Sequence, residues 1–367
     1  MAESSSIEWT DATWNPVTGC DVVSPGCTNC YAMRLAGTRL KHIPSRASLT
    51  RDTKAGPVWN GEIRVNEEWM DQPLRWKRPR MIFVCAHGDL FHEKVPDEVL
   101  DRVFAVMALS PQHTFQVLTK RSARLRDYIN RPHGYFDHQR REDTAIERAC
   151  WDILRDRRTL SENLIKWPWP LPNVWLGVSA EDQKRADERI PDLLATPASI
   201  RFVSAEPLLG PINLRRIRIA PDHHTIIDAL DGYAVAGKPG RERTMLDWVI
   251  VGGESGRGAR PMHPAWARQI RDQCENAGVP FFFKQWGIWA VASEANGHDD
   301  SDMSRNDAVW LHSDGRQTKP SHLRPDLEAA DYRDPIAMFP ATKKRAGRLL
   351  DGVEHNAMPQ PREVPAL

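Results

Sequence analysis

The stretch RMIFVCAHGDLF, residues 80–91, contains an apolar, β-rich run that ends abruptly in polar residues and glycine. The same plan recurs in five later segments: HTFQVLTKR (113–121), NVWLGVSAEDQ (173–183), IRFVSAEPLLG (200–210), DWVIVGGESG (247–256) and VPFFFKQWG (279–287). Nearly continuous runs of valine, isoleucine and phenylalanine are typical of strands that are buried on both faces, as in parallel sheets. The sequence therefore predicts six such strands, and a further first strand before Cys20.

Helical patterns lie between these strands. Residues 96–109 and 265–278 each carry apolar side chains on one side, and residues 181–195 predict a third helix that is broken near Pro191. Strands that alternate with helices indicate an α/β fold with a parallel sheet. We expect a (β/α) barrel, complete or incomplete, and an open doubly wound sheet is the alternative.

Two insertions and a tail depart from this alternation. The barrel is predicted over residues 1–290, interrupted by a charged insertion at 131–172 and a second insertion at 215–246. The first insertion contains a helical piece around AIERACWDILRD and ends in the stiff, proline-rich sequence KWPWPLP. Residues 291–367 are polar and are predicted to form an irregular C-terminal extension.

The composition limits the class of protein. The chain has 367 residues, 41% of them apolar, and its 50 basic and 49 acidic residues give a net charge of +1. This balance argues against a protein that mainly coats nucleic acid, but it allows a local basic groove. No run approaches the roughly 18 apolar residues of a membrane span, and the N-terminus lacks a secretory signal. We expect a cytoplasmic protein that does not enter a membrane.

Three of the six cysteines, Cys20, Cys27 and Cys30, lie close together in the Gly/Pro-rich segment TWNPVTGCDVVSPGCTNCYAMR (13–34). In a reducing compartment such clustering indicates metal or redox chemistry rather than disulfides. Three thiolates without a nearby fourth ligand leave a coordination position open. A cubane 4Fe–4S cluster is the favoured interpretation. Zinc completed by a distant ligand, Cys85 or a histidine, and three thiols without metal are the alternatives.

Polar side chains follow the predicted strands, and in a (β/α) barrel the carboxyl ends of the strands form the active site. The candidate residues at this rim are Asp89, Ser179, Glu206, Gly252, Gly253, Glu254 and Lys284. Asp89, Glu206 and Lys284 are the candidate catalytic residues. The alternative is that the charged side chains neutralise one another, with Glu206 paired to Lys284 or Lys120.

Several motifs, in this order, carry a resemblance: IEWTDATWNPVTGC, SPGCTNCYA, DLF, LTKR, VWLGVSAED, SAEPLLG, DWVIVGGESG, FFFKQWG and the tail segment KKRAGRLLDGVEHNAMP (343–359). Together they resemble a family of phage and bacterial three-cysteine proteins of unassigned activity, organised like radical S-adenosylmethionine (SAM) enzymes. The motif spacing differs from the usual radical-SAM pattern. Six residues separate Cys20 from Cys27 instead of three, and the Gly-Gly-Glu motif follows a late strand instead of the second.

The resemblance implies a TIM-barrel-like fold and a cluster held by the three cysteines, with one iron open for SAM. It implies SAM contacts from Ser179, Glu206, Gly252, Gly253 and Glu254, and a reductant protein as electron donor. The predicted function is a radical-SAM-like enzyme that acts on a nucleotide, a nucleic acid or another polar substrate.

Two other functions stay open. One is a non-catalytic, phage-associated protein that binds nucleic acid or another partner and carries a structural metal. The other is a zinc-dependent, hydrolase-like barrel that uses the open coordination position for water. Fourteen tryptophans and the segment RWKRPR (75–80) suggest a stacking surface for bases, although packing in the core is the favoured role for these rings.

Overall fold

A computed structural model of the protein describes residues 5–131, 145–156, 169–219, 224–236, 244–291, 308–318 and 335–360. The strands in these ranges are β1 (Ala12–Trp14), β2 (Val17–Thr18), β3 (Thr50–Thr53), β4 (Gly56–Trp59), β5 (Arg64–Val65), β6 (Met81–Val84), β7 (Thr114–Thr119), β8 (Val174–Ser179), β9 (Ile200–Ala205), β10 (Ile217–Arg218), β11 (Ile226–Asp228), β12 (Tyr233–Ala236), β13 (Trp248–Gly252), β14 (Phe281–Gln285), β15 (Trp289–Val291), β16 (Val309–Leu311), β17 (Gln317–Thr318), β18 (Ile336–Pro340), β19 (Leu349–Leu350) and β20 (Val353–Glu354).

The helices are α1 (Tyr31–Gly37), α2 (Asp97–Ala108), α3 (Ser122–Ile129), α4 (Ala145–Asp156), α5 (Gln183–Leu194), α6 (Pro264–Ala277) and α7 (Lys343–Ala346). The three predicted helices correspond to α2, α5 and α6, and α4 is the predicted helical piece of the first insertion. Gly278 ends α6 with a left-handed φ of 68°, which glycine adopts without strain. The predicted break at Pro191 is wrong, because α5 continues through this residue to Leu194.

Seven strands form one parallel sheet that curves into half of a barrel. Their order is β1-β6-β7-β8-β9-β13-β14, and every neighbouring pair is parallel. These are the six strands predicted from the repeated plan and the additional first strand. The fold is therefore mixed α/β, with a parallel half-barrel surrounded by helices, as in an incomplete α/β barrel.

Both faces of this sheet are apolar, but they pack differently. Val203 and Ala205 of β9 join a large core beneath the helices, whereas Ile200 and Phe202 of the same strand point the other way. This alternation is the two-residue period of a strand. The side chains on the inner face form a separate, mainly aromatic cluster, which we call the floor: Trp9, Phe83, Trp175, Phe202, Trp248 and Phe282.

The two insertions add different structures to the half-barrel. The helix α4 packs against α2 and buries Ile146 and Cys150, while residues 132–144 and 157–168 of the first insertion lie outside the described residues. The second insertion forms a small antiparallel sheet of order β10-β11-β12.

The C-terminal extension is not irregular where the structure describes it. An antiparallel sheet of order β15-β18-β16-β17 is followed by the hairpin β19-β20. Beyond the hairpin, Asn356 pairs with Phe282 of the edge strand β14, and the backbone N–H of Phe283 donates to the carbonyl of His355 at 2.9 Å. The tail thus covers an edge whose unpaired backbone groups would otherwise invite pairing with another chain. Sequence patterns did not reveal this, because its strands are only two to five residues long and are separated by polar segments.

Candidate metal centre and ligand cavity

A cavity of about 260 Å³ opens at the carboxyl end of the half-barrel. It brings together nearly all of the predicted site residues: Cys20, Cys27, Cys30, Asp89, Ser179, Glu206, Gly253, Glu254 and Lys284. Gly252 lies just behind the wall, where a Cβ atom would come within 2.7 Å of Glu206 Oε1. This position therefore favours glycine because the Glu206 side chain packs directly against its backbone.

Strand alternation explains why these polar groups face the cavity. On the inner face of β9, Phe202 is followed two residues later by Ser204, and Glu206 comes two residues after the serine. On β14, Phe282 of the floor is followed by Lys284. Each strand thus carries an aromatic side chain deep in the half-barrel and a polar one at its carboxyl end.

The three cysteines form one wall of the cavity. Cys27 ends a short 3-10 helix, Pro25–Cys27, and Cys30 directly precedes α1. Cys27 is buried, and Cys20 and Cys30 are half-buried. The packing of Cys20 and Cys30 against Trp59 and its neighbours completes the wall.

The surroundings keep two of these thiols protonated in the absence of a metal. Burial and the negative charge of Asp89 raise the pKa of Cys20 to about 12, although Arg121 opposes this by donating to Cys20 Sγ at 3.5 Å. Burial also raises the pKa of Cys30. A bound metal centre reverses this preference, because its positive charge stabilises the thiolates.

Glu181 anchors the cysteine loop from one side. It is fully buried, and its Oε1 accepts from the backbone N–H of Gly26 at 3.1 Å. Its Oε2 pairs with Arg189 of α5 at 3.0 Å. Burial alone would raise the pKa of Glu181, but Lys120, the Ser24 hydroxyl, Arg189 and the Gly26 N–H together lower it to about 2. A Cβ atom on Gly26 would lie 3.1–3.3 Å from the carboxylate, so this close approach favours glycine.

Glu254 anchors the same loop from the other side. Its Oε2 accepts from the side chain of Asn29 at 2.9 Å and from the backbone and Nε of Arg260, while its Oε1 accepts from Arg260 Nη2 at 2.6 Å. Arg260 also donates to the carbonyl of Pro25 at 2.9 Å. Since a carboxylate has about four acceptor positions, two on each oxygen, Glu254 keeps at most one, on Oε1, for a ligand.

All four acceptor positions of the Asp89 carboxylate are occupied by hydrogen bonds from the protein. Its oxygens accept from the Thr119 hydroxyl at 2.7 Å, from the backbone N–H groups of Phe91 and Lys120, and from Arg121 Nη1 at 2.9 Å. The candidate catalytic residue Asp89 therefore holds Arg121 beside Cys20 in this structure.

Glu206 and Lys284 keep hydrogen-bond positions that the protein does not use. Lys284 Nζ lies 2.8 Å from Glu206 Oε1, which is one of the two predicted pairings. Glu206 Oε2 accepts from the Ser204 hydroxyl at 3.0 Å. Two acceptor positions of Glu206 stay available. The other rim cation, Lys120, pairs instead with Glu181 at 3.7 Å and donates to the Ser179 hydroxyl.

Among the described residues, Asp21, His92 and Glu93 are the one group of three side chains whose ligand atoms all lie within 4.8 Å of one another. Arg121 already pairs with both acids. His92 Nδ1 accepts from the backbone N–H of Lys94 at 3.1 Å, so the proton sits on Nε2 and neither ring nitrogen has a lone pair for a metal. This group is therefore better described as an ion-pair network.

The burial of the tryptophans and of Cys85 bears on the roles that the sequence suggested for them. The described tryptophans are buried or half-buried, and Trp76 of the RWKRPR segment is 6% exposed beneath Arg80. They do not form the stacking surface considered above. Cys85, expected to act as a small buried side chain, is 3% exposed and also lines the cavity, directly after β6, with a left-handed φ of 58°.

Sequence reasoning missed Asn29, Arg189 and Arg260. They bind the two anchoring glutamates, but nothing in their immediate sequence marks them as part of a site. The available signal is weak: each arginine follows its glutamate by less than ten residues, Arg189 within α5 and Arg260 in the segment between β13 and α6.

The fold and cavity define the class as an α/β half-barrel protein with a three-cysteine wall at the carboxyl end of its parallel strands. The chain belongs to the family described as "Protein of unknown function (DUF5131)", whose model matches residues 4–359. Comparison with curated proteins and with solved structures finds no match. No helix in the described ranges is long and apolar enough to cross a membrane.

Proposed function

We propose that this protein is a radical-SAM-like iron–sulfur enzyme. Cys20, Cys27 and Cys30 hold a 4Fe–4S cluster, and the adjoining cavity binds SAM and a polar substrate. The observation that carries the proposal is that the three thiols share one cavity with Glu206 and Lys284, a charged pair with spare bonding capacity. We assign the half-barrel to the incomplete TIM barrels of that class.

The donor set fits a cluster better than a single ion. A zinc ion draws its thiolates close together, since each Zn–S bond is about 2.3 Å long. The three cysteines do not form a group with ligand atoms within 4.8 Å in the described structure. A cubane separates its ligands more widely, because each thiolate binds a different iron, and it leaves the fourth iron open.

When bound, the cluster would supply the electron for reductive cleavage of SAM. The residues of the chain orient the reactants. Lys284 donates to a carboxylate or phosphate of the ligand, and Glu206 accepts from a hydroxyl or ammonium group. Ser179 and the backbone of Gly253 line the same wall, and the apolar floor excludes water from below. A separate reductant protein would deliver the electron.

Metal analysis of anaerobically purified protein tests this proposal. We expect about four irons per chain, with near-complete loss of iron in the Cys20→Ala, Cys27→Ala and Cys30→Ala variants. Cys274→Ala is the matched control, because this buried thiol lies on α6, away from the cavity. With SAM and dithionite, the wild type should form 5′-deoxyadenosine, and Lys284→Met should keep its iron but lose most of this activity.

The same measurement distinguishes the alternatives. Equimolar zinc that depends on the three cysteines would favour the hydrolase-like barrel and contradict the iron proposal. Zinc binding that also requires Cys85 would identify the fourth ligand. An iron cluster that does not turn over SAM would favour the non-catalytic protein, with the cluster as its structural metal site.

A further inference from the structure

A small lobe stands beside the cavity and is built from residues 31–60. It consists of α1 and the hairpin β3-β4, and it has its own apolar core of Ala32, Met33, Ala36, Leu49 and Trp59. Cys20 and Cys30 pack against this core. Tyr31, Ala32 and Trp59 of the lobe line the cavity. We call residues 31–60 the basic lobe, because this segment is positively charged whereas the rest of the chain has a net negative charge.

The basic lobe carries six lysines and arginines against a single acidic residue, Asp52, which gives it a net charge of +5. Since the whole chain has a net charge of +1, the remaining residues together carry −4. The near-neutral total therefore conceals a concentration of positive charge in one thirty-residue segment next to the cavity mouth.

Four cations of the basic lobe are exposed and carry no ion pair with any described residue: Arg39, Lys41, Arg51 and Lys54. This differs from the cavity rim, where Lys120, Arg121 and Lys284 each pair with a carboxylate. Cations that the protein itself does not neutralise create a local positive potential, which attracts polyanions even when the net charge of the molecule is small.

Two exposed apolar side chains of this region, Val23 and Tyr31, line the cavity. Val22, Val23 and Tyr31 are 47%, 41% and 46% exposed, and they are three of the five large apolar side chains that stand out on the described surface. Tyr31 begins α1, and its hydroxyl donates to the carbonyl of Ala86 at 2.6 Å, which fixes the ring at the mouth. Proteins that bind single strands combine a positive surface with aromatic rings on which bases stack.

We propose that the basic lobe binds single-stranded nucleic acid, with Tyr31 stacking on a base at the cavity mouth. As a statement of the enzyme's substrate class, this inference rests on the function proposed above. A single strand is favoured over a duplex because a base must be unstacked to reach the cavity. It is favoured over an acidic protein because an exposed aromatic ring of the same lobe, Tyr31, lines the cavity.

Fluorescence anisotropy with a labelled 20-nucleotide single strand, titrated with salt, tests the proposal on the full-length protein. The variant R39A/K41A/R51A/K54A should bind more weakly and lower the slope of log affinity against log salt by about 2.8, since each contact to a single strand contributes about 0.7. The control K184A/R216A/R218A/K344A removes the same charge from exposed positions outside the lobe and should behave as the wild type.

Stacking is tested separately. Tyr31→Ala should weaken binding roughly tenfold without changing the salt slope. Tyr233→Ala, which removes another exposed tyrosine at 49% exposure, should have no effect. Equal unfolding temperatures of all variants exclude misfolding as the cause.

Three results would overturn the inference: equal affinity of the lobe variant and its control, tighter binding of a duplex of the same sequence, or polyglutamate competing as well as the single strand. The last result would assign the lobe to an acidic protein. Binding is measured on protein as isolated, without SAM, so iron content and strand binding can fail independently.

Discussion

The floor and the mouth of the half-barrel are built on the same strands but serve different purposes. In the floor, Trp248 contacts Trp9, Trp175, Phe202 and Phe282, with ring centroids 5.7–6.3 Å apart. At the mouth, two to four residues further along these strands, the inward side chains are serine, glutamate and lysine. The difference shows two separate effects. Strand alternation determines which face of the sheet a side chain points to, and its position along the strand determines whether it packs in the floor or lines the cavity.

The mouth itself contains two kinds of carboxylate. Glu181 and Glu254 each pair with an arginine and hold the cysteine loop from opposite sides. Glu206 pairs with Lys284 and keeps acceptor positions for a ligand. Fixed charges position the thiols, and the partly satisfied pair is available for binding, as expected when a site is supported by rigid surrounding groups.

The largest expected effect is in the floor. Trp248 is fully buried, and its indole N–H donates to the carbonyl of Ala357 at 2.9 Å. We expect Trp248→Ala to lower the free energy of unfolding by roughly 3–5 kcal/mol in guanidinium denaturation, because it leaves a cavity in close-packed rings. Lys284→Met should lower it by less, because Glu206 then borders the open cavity and no void is left among packed rings. Similar losses for both variants would remove the distinction between floor and mouth.

A pH-dependent effect is expected at the mouth. The lowered pKa of Glu181 means that its stabilisation is fully present above its ordinary value of 4.5 and is lost as the pH falls towards about 2. Glu181→Gln should therefore be less stable than the wild type by roughly 2–3 kcal/mol at neutral pH. The gap between the two unfolding free energies should narrow below pH 4.5. A gap that stays constant down to pH 3 would show that Glu181 does not carry this charge.

The smallest effect concerns the fit within the floor. A Cβ atom on Gly177 would lie 2.5 Å from the ring of Phe202, so Gly177→Ala should cost roughly 1–3 kcal/mol through overpacking. Gly210→Ala is the matched control, because its nearest contact would be an ordinary 3.6 Å from Asp182. Thermal unfolding measures both, and an unaltered melting temperature for Gly177→Ala would mean that the floor is loosely packed.

Much of the fold followed from local sequence patterns. All seven strands of the sheet, three helices around it and the helix of the first insertion were predicted, because buried parallel strands produce apolar runs that need no partner to be recognised. The C-terminal strands were not predicted, since strands of two to five residues are too short to produce such runs. The continuation of α5 through Pro191 was also missed, because the local rule for proline is overridden by helix packing.

The amino-acid sequence by itself determined the three-cysteine loop, the order of strands and helices, and the polar residues at the strand ends. The tertiary structure decided which charges meet: Glu181 and Glu254 bind the cysteine loop, Glu206 pairs with Lys284 and keeps free acceptor positions, and the basic segment 31–60 folds beside the cavity. The physical reason is that side-chain identity is local, whereas charge pairing depends on distances between residues far apart in the chain.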